Sequence, residues 1–369
     1  MKFADWAESE PSEVGFDRGR LERVANLARS RGAASWLTVL RDGEVVFDRR
    51  TNCEPDALFY CFSVSKPFVA LAIHLLAQRG VLTLDDPIAM HWPEYEANGK
   101  GAVTLRHVLT HRSGVPFSSG SLVGDALAAT DWHRSVELAQ MAKPRWRAGT
   151  AVGYQVLSFG FILGEVVRRV SGLPVDEFLR TEFFTPLRLP GIRLGLSDAR
   201  RSRAVPLVSR GLVQLGSRFT FNRDAVRSAI IPAAGISAGA HDMARFYKAM
   251  LKGGKRQGVR VLRRATVLEA RSVSSDGEYD RTLRSHPRWA HGFQLGGPSV
   301  APRPMGSHAS ALAFGHNGSS TCNIWADPTR GIVFVYLTNI VAPRKPSLRH
   351  MSDVSDALLD AELRGPTVL

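Results

Sequence analysis

Leu58-Phe59-Tyr60-Cys61-Phe62-Ser63-Val64-Ser65-Lys66-Pro67-Phe68-Val69-Ala70-Leu71-Ala72-Ile73-His74-Leu75-Leu76 is the stretch whose reading decides the fold. An apolar lead-in precedes a segment that predicts a helix starting at about Ser63. Serine favours a helix start, and Pro67 is best tolerated in a first turn, where backbone N–H groups lack intrahelical partners. One turn sets the Ser63 hydroxyl beside the Lys66 amine. The same position presents free N–H groups and the positive end of the helix dipole, which suits a developing oxyanion. That is the arrangement of an activated nucleophile.

A Ser-x-x-Lys tetrapeptide is common by composition alone, so the surroundings of Lys66 carry more weight than the spacing. The chain has eight lysines against 40 arginines, so arginine supplies its surface charge. Lys66 sits instead in an apolar segment, where arginine could not lose its proton and a buried lysine can. The competing reading is a lysine whose stem lines a core helix while its amine reaches water.

At 369 residues the chain buries a large core, in one large domain or two interleaved ones. Its 44% hydrophobic and 22% charged content is that of an ordinary globular protein. No run approaches the ~18 apolar residues of a membrane span, and residues Met1 to Glu10 are polar with no apolar signal core. A cytoplasmic protein without a membrane partner is expected. Cys53, Cys61 and Cys322 are too few for a disulfide framework and contain no C-x-x-C, so reduced thiols are expected. The net charge of +14 raises nucleic-acid binding, but the arginines are spread along the chain. Short clusters such as Arg200-Arg201-Ser202-Arg203 do not make a binding face, so no nucleic-acid partner is expected. A positive field steering anionic substrates remains open.

Along the chain, Leu21, Val24, Ala25 and Ala28 predict a first helix capped by Asp17. Leu37–Leu40 and Val45–Phe47 around Asp42-Gly43 predict a hairpin. From about 85 to 230 the pattern is mostly helical, and 197 to 230 reads as a long basic loop over one face. Strand-like runs return at Gly292–Leu295, Ala311–Phe314, Thr321–Trp325 and Ile332–Leu337, with a polar loop at 272 to 287 before them. Strands at both ends of a helical middle predict one antiparallel sheet completed by both termini, in an α+β protein. The expected division is a discontinuous domain of 1–84 and 231–369 around a helical region of 85–230.

Three further motifs bear on chemistry. Tyr154 lies where a loop enters the helix expected at Leu157 to Val170, a place from which a phenol reaches a cleft; the alternative is a packed, half-buried tyrosine. Phe314-Gly315-His316-Asn317-Gly318-Ser319-Ser320 sits at the end of one expected strand and the start of the next. Its glycines permit close approach of a ligand to the backbone, and His316 can supply a partly cationic donor; a tight turn with a surface histidine is the alternative. Gly235-Ile236-Ser237-Ala238-Gly239 matches the G-x-S-x-G nucleophile elbow, but Ile231-Pro232-Ala233-Ala234 makes a poor central strand before it. His107 and His111 stand at i, i+4 without the glutamate of a zinc H-E-x-x-H, so no metal site and no cofactor are expected.

Ser63-x-x-Lys66, a tyrosine motif at Tyr154 and a strand-borne His316-Asn317-Gly318, in that order, resemble the serine β-lactamase-like superfamily. The spacing is most similar to its branch of class C β-lactamases, D-alanyl-D-alanine carboxypeptidases and family VIII esterases. Leu84-Asp85-Asp86-Pro87, Thr104 to Gly114 and Ala240 to Phe246 look familial as well. The resemblance implies a β-lactamase/transpeptidase-like α/β sandwich, its antiparallel sheet flanked by helices, beside an inserted helical region. It implies that Ser63 attacks an acyl carbon while Lys66 and Tyr154 share the proton work. The oxyanion hole would be the N–H groups of Ser63 and Ser319, and His316, Asn317 and Gly318 would contact substrate. For Lys66 to act as a base near pH 7 its pKa must fall by roughly three units, about 4 kcal/mol between its protonation states.

Two departures bear on substrate. The family's frequent Tyr-x-Asn reads Tyr154-Gln155-Val156, removing a side-chain amide that would bind a substrate amide. Its Lys-Thr-Gly reads His316-Asn317-Gly318, weakening a fixed cation for a substrate carboxylate. The expectation is a serine hydrolase, carboxylesterase-like, that handles short acyl esters through an acyl-enzyme. The alternatives are an amidase, D-amino-acid peptidase or weak β-lactamase, and a non-catalytic penicillin-binding-like protein. The partner is a small acyl substrate, and the oligomeric state is left open.

Overall fold

The computed structural model describes residues 6–211, 214–297, 303–319 and 321–363. Met1–Asp5 of the polar amino terminus, the far end of the 231–369 segment and Ser320 of the His-Asn-Gly motif lie outside the described residues.

The chain begins with α1 (Arg18–Arg29), β1 (Ser35–Arg41), β2 (Glu44–Thr51), β3 (Phe59–Tyr60) and α2 (Lys66–Gln78). Helices dominate the middle, among them α3 (Leu105–Leu109), α4 (Trp132–Met141) and α5 (Ser158–Ser171). Then come β4 (Ile192–Leu194), β5 (Ile236–Ala238), α6 (Ala240–Leu251), β6 (Val273–Asp276), β7 (Arg288–Ala290) and β8 (Gln294–Leu295). The chain closes with β9 (Phe314–Gly318), β10 (Cys322–Asp327), β11 (Ile332–Thr338) and α7 (Arg344–Leu359).

Eight strands form one antiparallel sheet in the order β2-β1-β11-β10-β9-β8-β7-β6. The first hairpin turns on two residues of positive φ, Asp42 at 53° and Gly43 at 96°, the twist that a two-residue hairpin loop requires. Strand β1 then pairs with β11, Ser35 opposite Thr338, so strands from both ends of the chain meet inside the sheet, one strand in from its β2 edge.

Period-two alternation explains the sandwich. Leu37 and Val39 of β1, with Ile332, Phe334 and Tyr336 of β11, pack against Leu21 and Val24 of α1 and Val354 and Leu358 of α7. The alternate residues, Trp36 and Leu40 with Val333, Val335 and Leu337, face the larger core that contains α2 and α6. The structure is an α+β sandwich with an antiparallel sheet flanked by helices. No helix among the described residues is long and apolar enough to cross a membrane.

Several expectations need correction. Ser63 does not begin an α-helix: Phe62–Ser65 is a 3-10 turn, and α2 starts at Lys66 with Pro67 in its first turn. Phe62 has a φ of 46°, and that left-handed residue turns the chain sharply out of β3. The strand expected at 311 to 314 is a turn as far as Ala313, and β9 starts at Phe314. His316 therefore lies within a strand, opposite Ile324, and not at a strand end. The 272 to 287 loop opens with β6, and 197 to 230 holds short helices at Asp198–Arg201, Leu215–Phe221 and Asp224–Ser228. Bonds to neighbouring chain, such as those of Asn222 with Leu207 and of Arg227 with Val205, hold these pieces, which are too short for periodicity to reveal.

Candidate active site

The 3-10 turn places Ser63, half-buried, at the amino end of α2. Ser65 stitches this turn down: its hydroxyl donates to the Phe62 carbonyl at 2.6 Å and accepts from Ile236 N at 3.0 Å. Lys66 is 1% exposed, which excludes an amine reaching water. Its Nζ donates to Ser63 Oγ at 3.3 Å, to the Val156 carbonyl at 2.8 Å and to the Ala233 carbonyl at 3.2 Å. It also lies 4.7 Å from the centroid of the Tyr154 ring. Burial drives the Lys66 pKa well below that of a free lysine, the direction a proton acceptor needs.

Tyr154 is buried, with the Ser63 side chain beside its phenol. Burial raises its pKa and outweighs the opposing pull of Ser63, so the phenol holds its proton. Trp289 stacks on the Tyr154 ring, centroids 5.3 Å apart and planes 12° off parallel, and His111 packs against both rings. His111 Nδ1 accepts from Gln155 N at 3.3 Å, while His107 Nδ1 accepts from Thr104 N at 3.1 Å, so the two histidines serve different backbone segments. No cluster of potential metal ligands is present among the described residues.

His316 Nδ1 donates to the Asn317 carbonyl at 2.7 Å, which leaves Nε2 as the lone-pair nitrogen of a neutral ring, without a partner among the described residues. Burial, and then the Lys66 charge, lowers its pKa to about 3. His111 is depressed by burial and by the same charge. Burial thus disfavours the charged forms of Lys66, His111 and His316 alike. Asn317 is half-buried and bonds Ser319 O at 3.4 Å. Gly318 is held close to the Ser63 turn: a Cβ there would lie 2.0 Å from the Cys61 carbonyl, so only glycine fits. Ser319, at φ 51°, follows at the strand end. Neither its N–H nor that of Ser63 donates to a protein acceptor among the described residues.

Ser63, Lys66 and Tyr154 thus meet, with β9 alongside. Ser237 lies elsewhere, within β5, fully buried and with its hydroxyl unpartnered among the described residues, so it offers no exposed nucleophile. Reading the sequence missed Asp280 and Trp289, both in or just after the stretch expected to be a polar loop. It also missed the carbonyls of Val156 and Ala233, which have no side-chain signature.

A buried lysine on a serine hydroxyl, between a helical layer and an antiparallel sheet, defines a protein of the serine β-lactamase superfamily. The chain belongs to the Beta-lactamase family, whose model matches residues 22–355. It is similar to the esterase/beta-lactamase LipL of Mycobacterium tuberculosis, 29% identical over 343 residues, covering 82% of this chain and 76% of that protein. Among solved structures it is similar to a penicillin-binding protein homologue from Caulobacter crescentus, with a TM-score of 0.79, 26% identity and coverage of 94% and 99%. A family VIII carboxylesterase shares the fold, with a TM-score of 0.76, 22% identity and coverage of 92% and 98%. Together these relatives support a serine hydrolase of this superfamily.

Proposed function

We propose that the protein is a carboxylesterase that hydrolyses short acyl esters through an acyl-enzyme on Ser63. The observation that carries the proposal is the buried Lys66 amine, depressed in pKa and bonded to Ser63 Oγ at 3.3 Å. Ser63 Oγ attacks the acyl carbon and its proton passes to Lys66. The tetrahedral oxyanion takes the N–H groups of Ser63 and Ser319; one such donor is worth about 3 to 4 kcal/mol in the transition state. Tyr154 relays a proton to the departing alkoxide. Water then attacks the acyl-serine and passes a proton to the same Lys66–Tyr154 pair; the Ser63 Oγ–acyl bond breaks, the pair returns that proton to Ser63 Oγ, and the acid is released. His316, Asn317 and Gly318 line the substrate side.

Two features favour esters over lactams and peptides. Val156 offers no side-chain amide where Tyr-x-Asn members have one, and the His316 ring, with a pKa near 3, is neutral at working pH and offers no charge to a carboxylate. Lactam turnover is the second reading, and the relatives named β-lactamase motivate including a cephalosporin in the test.

The test is intact-mass spectrometry after fluorophosphonate treatment of the native chain, Ser63→Ala and Ser237→Ala, with p-nitrophenyl acetate, p-nitrophenyl butyrate and a chromogenic cephalosporin as substrates. Label and ester turnover lost in Ser63→Ala alone support the reading. Label that survives Ser63→Ala defeats it, and cephalosporin turnover rivalling that of the esters replaces it with the lactamase reading.

A further inference from the structure

Asp280 is a carboxylate with no exposed surface that the mechanism above leaves without a role. Its oxygens are filled by N–H donors. Oδ1 accepts from Tyr154 N at 3.0 Å, Thr282 N at 2.9 Å and Leu283 N at 2.9 Å. Oδ2 accepts from Tyr154 N at 3.1 Å and from the Trp289 indole Nε1 at 3.3 Å. The same Trp289 stacks on the Tyr154 ring at 5.3 Å. One carboxylate therefore grips the backbone beneath the phenol and the indole that covers its face.

The loop that presents Asp280 is itself fastened. Arg284 N donates to the Asp280 carbonyl at 2.8 Å, Asp280 N to Ser285 O at 2.9 Å, and Arg281 N to Val152 O at 3.0 Å, two residues before Tyr154. An uncharged amide could not replace the carboxylate, because asparagine has one accepting oxygen for donors that now reach both. We infer that Asp280, acting with Trp289, is a positioning residue that holds the Tyr154 phenol against Ser63. The inference rests on the reading of Tyr154 as a proton carrier. Small misplacement of such a group is costly: about 1 Å can lose ~100-fold in rate.

The experiment measures kcat and KM on p-nitrophenyl butyrate, with the rate of fluorophosphonate labelling, for Asp280→Asn, Trp289→Phe, Tyr154→Phe and the Asp280→Asn/Tyr154→Phe pair. Asp280→Asn should lower kcat about 10- to 100-fold with KM within about threefold, since the lost interaction matters only in the transition state. Labelling should slow by the same factor. Trp289→Phe keeps the stacking and loses only the indole bond, so its kcat should fall about three- to tenfold. The double variant should be no slower than Tyr154→Phe alone, because the two residues act as a unit.

A folded Asp280→Asn chain with kcat within threefold of native overturns the inference, as does a raised KM at unchanged kcat or full additivity with Tyr154→Phe. Should Asp280→Asn not fold, Trp289→Phe decides: unchanged kcat overturns the inference, and lowered kcat at constant KM upholds it. Native protein that takes no label at Ser63 fails the acyl-enzyme reading itself, and the positioning role falls with it.

Discussion

Lys66 and Lys100 are the two buried lysines among the described residues, at 1% and 0% exposure, and they sit in nearly the same cradle. Each amine lies over a tyrosine ring, Lys66 4.7 Å from the Tyr154 centroid and Lys100 5.0 Å from that of Tyr95. Each donates to three acceptors. For Lys100 these are the carbonyls of Ala97, Gln140 and Ala142, at 2.5 to 2.8 Å. For Lys66 one of the three is instead the Ser63 hydroxyl. A carbonyl only accepts, so three of them suit an ammonium and make Lys100 a pin between the 93–99 turn and the end of α4. A hydroxyl can reverse and donate, so the same cradle with one substitution of acceptor can take a proton from its neighbour. Burial lowers both pKa values, Lys100 to about 8 and Lys66 well below that of a free lysine. What separates the two cradles is the identity of one partner atom, and the proposed role of Lys66 as a base rests on it.

Replacing each lysine by methionine should break the comparison cleanly. Lys66→Met should lose about 1,000- to 10,000-fold in kcat/KM on p-nitrophenyl butyrate, roughly 4 to 5 kcal/mol of barrier, having lost its proton acceptor. If more than a tenth of turnover survives, Lys66 is not the base.

Lys100→Met should keep kcat/KM within about threefold yet lose about 1 to 3 kcal/mol of stability in urea melts, because three buried carbonyls lose their donor. An unchanged urea midpoint would falsify the pin. The pH dependence has a definite sign. The folded pKa near 8 lies below the unfolded value of about 10.4, so the unfolded chain binds more protons between them. Lys100 therefore makes stability rise with pH across that window and adds no slope below it. Lys100→Met should flatten the rise.

The rate profile sharpens the contrast from the other side. Activity should rise with pH as Lys66 loses its proton, with the limb well below a free lysine's range, while His316, already neutral above about pH 3, adds no second limb from pH 5 to 9. His316→Gln should therefore change kcat/KM by less than about tenfold and leave the profile's shape intact. A new or lost limb in that variant would assign charge to the ring. The smallest effect belongs to Ser237→Ala, which removes a buried, unpartnered hydroxyl. Turnover should stay within about twofold and stability within about 1 kcal/mol; loss of turnover would return the nucleophile to β5.

Much of the fold was legible because its signals are local. Asp42-Gly43 declared the hairpin, Pro67 marked a first helical turn, and the apolar run Ile332–Leu337 declared an inner strand. Leu348, Met351, Val354 and Leu358 recur at helical spacing in α7, a signal that a strand-centred reading of this end passes over. The 3-10 turn at Phe62–Ser65 was not legible, since a left-handed phenylalanine has no sequence signature. Nor were the Lys66 acceptors, which are main-chain oxygens of Val156 and Ala233 brought in from far along the chain. Asp280 looked like one more polar loop residue because its partners become visible only when Tyr154 and Trp289 stand beside it. The candidate catalytic side chains declared themselves by type; the groups around them declared themselves only by contact.

The pairing of Ser35 with Thr338 has a consequence for how the protein is made. The Ser63 turn leaves the ribosome well before β9 to β11, the strands that the sheet behind it needs. Closing so long a loop is entropically costly and slow, and contacts this distant in sequence favour late, cooperative assembly. Until then the hairpin of β1 and β2 has an unpaired edge, which invites pairing with other chains. A nascent chain stalled before residue 332 should accordingly carry Ser63 and Lys66 yet take no fluorophosphonate, and release of the last strand and α7 should switch labelling on in a single step.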